Sequence, residues 1–165
     1  RADLGPPGRG VVAAAQTPDA DVLWLLARDG ALVRVADGAA RVVAAAPGEG
    51  WLGREVVCSA DGRRAVRWLG RGNASALGWF DADGRAGEVV ERDGVQALAL
   101  RPDGGVAVWS TWDGELVLRD LDAGGAPAVV GGLPLHHALL FEPDGRGLVA
   151  GTARGVVLRF AVDLR

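Results

Sequence analysis

The chain has 165 residues, of which 49% are hydrophobic, and its 18 basic and 21 acidic residues give a net charge of −3. This length can bury about 70% of the unfolded surface in a core, and no apolar stretch reaches the roughly 18 residues that span a bilayer, so we expect a soluble protein without membrane association. The basic residues are interspersed with carboxylates instead of forming a block, which argues against a nucleic-acid partner.

A single cysteine, Cys58, is present. It has no partner for a disulfide and no cysteine–histidine pattern around it for zinc, so we expect a cytoplasmic location and no cofactor. Methionine is absent, and the chain begins with Arg1. From this we expect a processed chain or a piece of a larger protein.

Four turn segments recur along the chain. Their aspartates are separated by 42, 42 and 41 residues, and a fixed period between about 20 and 50 residues indicates a repeat architecture. Asp-Gly between apolar alternating runs is typical of a hairpin, because glycine adopts positive φ without a Cβ clash. The predicted structural turn residues are Asp19, Asp61, Gly62, Asp103, Gly104, Asp144 and Gly145.

Each turn joins two short runs typical of β-strands, and further runs follow in the same order in each unit. The four predicted units are approximately 10–45, 54–91, 95–130 and 136–163. The first and second strands of the third unit are predicted at 95–100 and 106–110. The predicted third strands are 32–35, 76–80, 116–120 and 156–160. The predicted fourth strands are 41–45, 88–91 and 127–130, and the last unit ends after its third strand.

Four-stranded antiparallel sheets repeated at this period are typical of β-propeller blades. The third unit carries Leu100-Arg101-Pro102-Asp103-Gly104, then Ala107-Val108-Trp109-Ser110, then Leu116-Val117-Leu118-Arg119-Asp120. This unit resembles a bacterial WD-repeat blade, although its third strand ends in Arg-Asp in place of Trp-Asp. We therefore expect an all-β chain, 1–165, forming one propeller domain or a fragment of a ring of six to eight blades. A compact four-bladed ring closed by residues 1–4 is the alternative.

The resemblance implies a non-catalytic scaffold that binds a protein partner, as a module of a larger bacterial signalling or regulatory protein. Two other functions stay open. One is a propeller-type hydrolase or lyase with an axial metal site. The other is a half-propeller that associates with a second copy to complete a ring.

Two tryptophans lie where strands are not predicted. Trp51 is in a glycine-rich connection and Trp112 is at a turn. An exposed indole is a frequent binding anchor, so both are candidate binding residues, with Arg54 and Arg71 as polar neighbours. Trp24, Trp68 and Trp109 fall in second strands and are expected to pack between blades.

No catalytic residue and no metal ligand is predicted. The only histidines, His136 and His137, are adjacent, and adjacent residues of a strand point to opposite faces. The aspartates of the repeated turns are explained by backbone geometry.

Overall fold

The structure, a computed structural model, describes residues 10–18, 21–87, 90–131 and 136–162. The described residues contain fifteen β-strands and no helix, which confirms the all-β prediction. The strands are β1 (Val11–Gln16), β2 (Val22–Ala27), β3 (Leu32–Ala36), β4 (Ala39–Ala44), β5 (Leu52–Cys58), β6 (Arg64–Arg71), β7 (Ala74–Asp81), β8 (Val90–Asp93), β9 (Val95–Leu100), β10 (Val106–Thr111), β11 (Leu116–Asp120), β12 (Ala128–Val130), β13 (His136–Phe141), β14 (Gly147–Thr152) and β15 (Val157–Ala161).

The strands form four antiparallel sheets in chain order. Sheet 1 has the order β1-β2-β3-β4, sheet 2 the order β5-β6-β7-β8, and sheet 3 the order β9-β10-β11-β12. Sheet 4 has three strands, β13-β14-β15. The predicted succession of four-stranded sheets ending in a three-stranded one is confirmed within the described residues. The predicted fourth strand at 88–91 lies partly outside them.

Two hairpins differ from the sequence prediction. β3 and β4 are joined by Asp37 and Gly38, with φ of 53° and 72°. Positive φ at both central residues is the geometry that lets a two-residue hairpin follow the strand twist, so β4 begins two residues before the predicted start. β6 and β7 each have eight residues, which makes β7 longer than predicted.

The chain divides into two compact units, Arg1–Arg92 and Asp93–Arg165. In the first unit, sheets 1 and 2 share one apolar core that includes Trp24 and Leu32 from sheet 1 and Leu69 and Phe80 from sheet 2. Their first strands, β1 and β5, are neighbours.

The approach of β5 to sheet 1 depends on Gly53. A Cβ at this position would lie 2.5 Å from the Ala27 carbonyl oxygen and 2.9 Å from Leu26 Cγ. The indole N–H of Trp24 also donates to the Gly62 carbonyl oxygen at 3.2 Å. A buried side chain of sheet 1 is therefore hydrogen-bonded to the turn between β5 and β6.

The second unit repeats this arrangement. Sheets 3 and 4 share an apolar core in which Val108 and Leu116 pack with Phe141 and Leu148. The first strands, β9 and β13, are again neighbours. In both units, one face of a sheet is thus covered by the sheet that follows it in sequence.

Candidate functional site

The first candidate site lies at one corner of sheet 2. The pairing of Leu52 with Gly70 brings the preceding residue, Trp51, to the end of β6, where Arg71 lies. The Arg71 guanidinium carbon is 4.8 Å from the centroid of the Trp51 ring, within the distance of a cation–π contact. Trp51 is half-buried and packs against the core of the first unit. The core therefore holds the indole while Arg71 lies across its ring.

Arg54 reaches the same corner because of a β-bulge. The register of β5 and β6 shifts between Gly53 and Glu55, so Arg54 is the extra residue of the bulge, a position that re-aims a side chain. It lies against Gly70, where an added Cβ would be 2.7 Å from the Arg54 Nε. Arg54 and Arg71 are both exposed.

The charge of this corner is positive. Within the part of the chain that the structure describes, neither Arg54 nor Arg71 forms an ion pair. An exposed guanidinium presents five N–H donors in a planar fork. We call Trp51, Arg54 and Arg71 the basic corner.

Trp112 occupies the corresponding corner of sheet 3, in the second unit. It follows β10, and its backbone N–H donates to the Gly94 carbonyl oxygen at 2.8 Å. Its indole lies against Gly94, and 63% of the residue is exposed. Of the four predicted binding residues, three thus form the basic corner, and Trp112 lies at a surface of its own unit.

The described turn aspartates share one local geometry. Oδ1 accepts a hydrogen bond from the backbone N–H two residues later, at 2.9 Å for Asp61, 2.8 Å for Asp103 and 2.9 Å for Asp144. The glycines that follow, Gly62, Gly104 and Gly145, have φ of 66°, 80° and 71°. Asp19 lies outside the described residues.

Hydrogen bonds lower the pKa of two of these carboxyl groups. The Arg101 guanidinium and the Gly105 N–H hold the pKa of Asp103 below its ordinary value. For Asp61, burial acts in the opposite direction, but the Ser59 hydroxyl and the Arg63 N–H outweigh it and lower the pKa. These carboxylates are therefore engaged in shaping turns.

Sequence reasoning missed a buried cation in the first unit. Arg67 is 7% exposed, and its Nη1 donates to the carbonyl oxygens of Gly30 and Ala45 at 2.6 and 3.1 Å. Its guanidinium carbon lies 4.7 Å from the Phe80 ring centroid. Burial lowers the pKa of Arg67 to about 10. The sequence signal is an arginine at the centre of a second strand, between the apolar residues Val66 and Trp68.

The cysteine and the possible metal ligands bear on chemistry. Burial and the nearby Asp61 raise the pKa of Cys58, so the half-buried thiol stays protonated at neutral pH. Over the residues described, no cluster of three or more His, Cys, Asp or Glu side chains could hold a metal ion.

No protein-family model matches the chain, and no curated protein matches it significantly. The resemblance to WD-repeat blades therefore stays a prediction. Among the described residues, no helix has the length and apolar character needed to cross a membrane.

Proposed function

We propose that this chain is a series of β-propeller blades, of a WD-repeat-like type, that serves as a non-catalytic scaffold for a protein partner. The sheet arrangement supports blades: in each unit, two consecutive sheets pack through their apolar faces, and their first strands are neighbours. Blades of a propeller meet in this way, with their first strands closest to the axis. Such a chain would serve as one module of a larger cytoplasmic signalling or regulatory protein.

The basic corner is the proposed binding surface, and the stacking of Arg71 on Trp51 carries the proposal. Tryptophan and arginine are enriched among residues that dominate binding energy. Both side chains extend from ordered strands or a strand end, so binding here requires little new ordering of backbone. A guanidinium already stacked on an indole also loses less side-chain freedom on binding than a mobile one.

The partner's chemistry follows from the charge of the corner. Arg54 and Arg71 lack ion pairs in the described part of the chain, and guanidinium groups bind carboxylates through paired hydrogen bonds. The indole adds an apolar surface beside them. We propose that the partner presents an acidic segment with an apolar or aromatic residue next to its carboxylates.

A displayed-peptide selection on the intact chain tests this function. Peptides enriched by the wild-type chain are expected to be acidic, and their affinity is measured by fluorescence anisotropy. Trp51→Ala and Arg71→Ala should each weaken binding by about 30-fold, the effect of losing a residue central to an interface. Binding should also weaken as salt is raised, because exposed charges are screened.

Arg85→Ala is the matched control, because the Arg85 side chain is 83% exposed and lies outside the basic corner. It should bind the selected peptides as the wild type does. If the selection enriches no acidic peptides, or if Trp51→Ala binds them as tightly as the wild type, the basic corner is not the binding surface.

A further inference from the structure

One face of sheet 4 is apolar and uncovered. Cross-strand pairing aligns Leu140 with Val149 and Val149 with Arg159, and it aligns Gly151 with Val157 on the same face. Leu140 is 69% exposed and Val157 is 70% exposed. We call this the forward face of sheet 4, formed by Ala138, Leu140, Val149, Gly151, Val157 and Arg159.

The same positions are covered in sheet 3. The row Ala99, Val108 and Leu118 precedes the row Leu140, Val149 and Arg159 by 41 residues at each position. Ala99 and Val108 are buried in the core that sheet 3 shares with sheet 4, and Leu118 packs against that core. The forward face of sheet 4 thus repeats a surface that elsewhere packs under the next sheet.

Sheet 1 shows the same relationship. Trp24 and Leu32 lie 84 residues before Val108 and Leu116, and both are buried in the core shared with sheet 2. The forward faces of sheets 1 and 3 are therefore each covered by the sheet that follows, and the forward face of sheet 4 is the exposed counterpart.

The opposite, rear face of sheet 1 is the matching surface. Its central row pairs Ala14 with Leu25, Leu25 with Val33, and Val33 with Val42. Leu25 and Val33 are half-buried, and Val42 is 56% exposed. The equivalent positions in sheet 4, Ala150 and Leu158, lie on the face of sheet 4 that packs against sheet 3.

Among the described residues, the two charges on the forward face of sheet 4, Arg159 and Glu142, pair with each other. The Arg159 guanidinium donates from Nε and Nη2 to the two oxygens of the Glu142 carboxylate, at 2.6 and 2.7 Å. The rear face of sheet 1, formed by Ala14, Leu23, Leu25, Val33, Val35 and Val42, has no charged side chain. Contact between the two faces would therefore bring no unpaired charge against an apolar surface.

We infer that the forward face of sheet 4 binds the rear face of sheet 1 of a second copy of this chain. Within each unit, the forward face of one sheet packs against the rear face of the next sheet. Each copy also exposes one forward face, on sheet 4, and one rear face, on sheet 1. A second copy can therefore cover either of them with the matching face. The contact joins two different surfaces, and such heterologous contacts form rings or open assemblies. This inference rests on sheet packing and does not depend on the basic corner.

The test measures the oligomeric state of the intact chain by sedimentation velocity over a roughly hundredfold range of concentration. The wild-type chain should associate. The double variant Leu140→Arg/Val157→Arg blocks the forward face, and Leu25→Arg/Val42→Arg blocks the rear face. Each should associate about 30-fold or more weakly than the wild type, because a charge is placed at the centre of an apolar contact.

Mixing the two double variants gives the sharper result. One retains an intact rear face and the other an intact forward face, so the mixture should form a one-to-one dimer at concentrations where each variant alone stays mainly monomeric. Val129→Arg is the matched control: Val129 is 49% exposed but lies on β12, outside both faces, and this variant should associate as the wild type does.

Thermal unfolding checks that each variant is folded, and Val42→Arg alone replaces the rear-face double variant if Leu25→Arg disrupts sheet 1. A wild-type chain that stays monomeric over the whole range overturns the inference. So does a mixture of the two blocked variants that forms no dimer, or a blocked variant that associates as strongly as the wild type.

Discussion

Arg67 places a guanidinium in the interior of the first unit, and no acidic side chain in the described part of the chain forms an ion pair with it. Its hydrogen bonds go to the carbonyl oxygens of Gly30 and Ala45, both in the neighbouring sheet or its connections. A buried carbonyl without a donor costs free energy, so the cation satisfies two groups that would otherwise be unpaired. The stacking on Phe80 holds the guanidinium in the plane that these bonds need. Arg67 thus links sheet 2 to sheet 1.

Replacing Arg67 should therefore lower the free energy of unfolding. For Arg67→Ala we expect a loss of about 3 kcal/mol, because the buried Gly30 carbonyl and the part-buried Ala45 carbonyl lose their donor and the packing on Phe80 is lost. Arg67→Met keeps most of the side-chain volume and isolates the hydrogen bonds. Urea denaturation measures both losses.

The control for this prediction is Arg85→Ala, since the Arg85 side chain is exposed and forms a 3.5 Å ion pair with the exposed Asp83. Its stability should change by less than about 0.5 kcal/mol. An effect of Arg67→Ala as small as that of Arg85→Ala would show that the carbonyl groups find other donors.

Glu55 is the second residue whose burial affects stability, and its effect depends on pH. Burial raises its pKa above the ordinary value of 4.5, because the charged form loses hydration in the folded state. At neutral pH the carboxylate is charged in both folded and unfolded states, so burial destabilises the folded state. As the pH falls through the raised pKa, the folded state takes up a proton first and this cost disappears.

We expect Glu55→Gln to raise the melting temperature at pH 7. The gain should shrink as the pH falls through the raised pKa and be absent below 4.5, where the carboxyl group is protonated in both states. Thermal unfolding between about pH 3 and pH 8 measures this dependence. Glu49→Gln, at an exposed position of the preceding loop, should show no such gain. A gain that grows as the pH falls would contradict the sign of the effect.

At the scale of single elements, local sequence predicted strands well where a turn signal stands on each side. β9 and β11 have the predicted bounds, because an apolar alternation ends at a glycine-containing turn at each end. The turn between β3 and β4 was missed although Asp37-Gly38 is a hairpin signal. The strand residues next to this turn are Ala36 and Ala39, and alanine has a low strand propensity.

The candidate site was predictable in composition but not in geometry. The position of Trp51 in a glycine-rich connection pointed to an exposed indole, and Arg54 and Arg71 were identified as its neighbours. Their arrangement depends on the register of β5 against β6 and on the bulge at Arg54, which are set by pairing across the sheet. The burial of Arg67 was not predicted for the same reason. The carbonyl groups that accept its hydrogen bonds are distant from it in sequence.

At the scale of the whole molecule, the sequence period predicted the number of sheets, but it did not show which faces stay uncovered. Leu140 and Val157 are exposed, although they belong to the same apolar alternation as residues that are buried in sheet 3. Their exposure therefore follows from three-dimensional packing and not from the local sequence. Outer faces of repeat proteins are usually polar. The forward face of sheet 4 and the rear face of sheet 1 instead carry exposed apolar side chains, among them Leu140 and Val42.

Association through these faces should couple to stability. A partner that binds only the folded state stabilises it by mass action, so the melting temperature of the wild-type chain should rise with protein concentration. We expect a rise of about 2 °C for each tenfold increase, the value for two associating chains of this size. Calorimetry or fluorescence-detected unfolding at several concentrations measures this slope. The variant Leu140→Arg/Val157→Arg keeps the buried face of sheet 4 and should melt at one temperature throughout, because its forward face no longer binds a second copy. Equal slopes for the two proteins would show that any association of this chain uses a different surface.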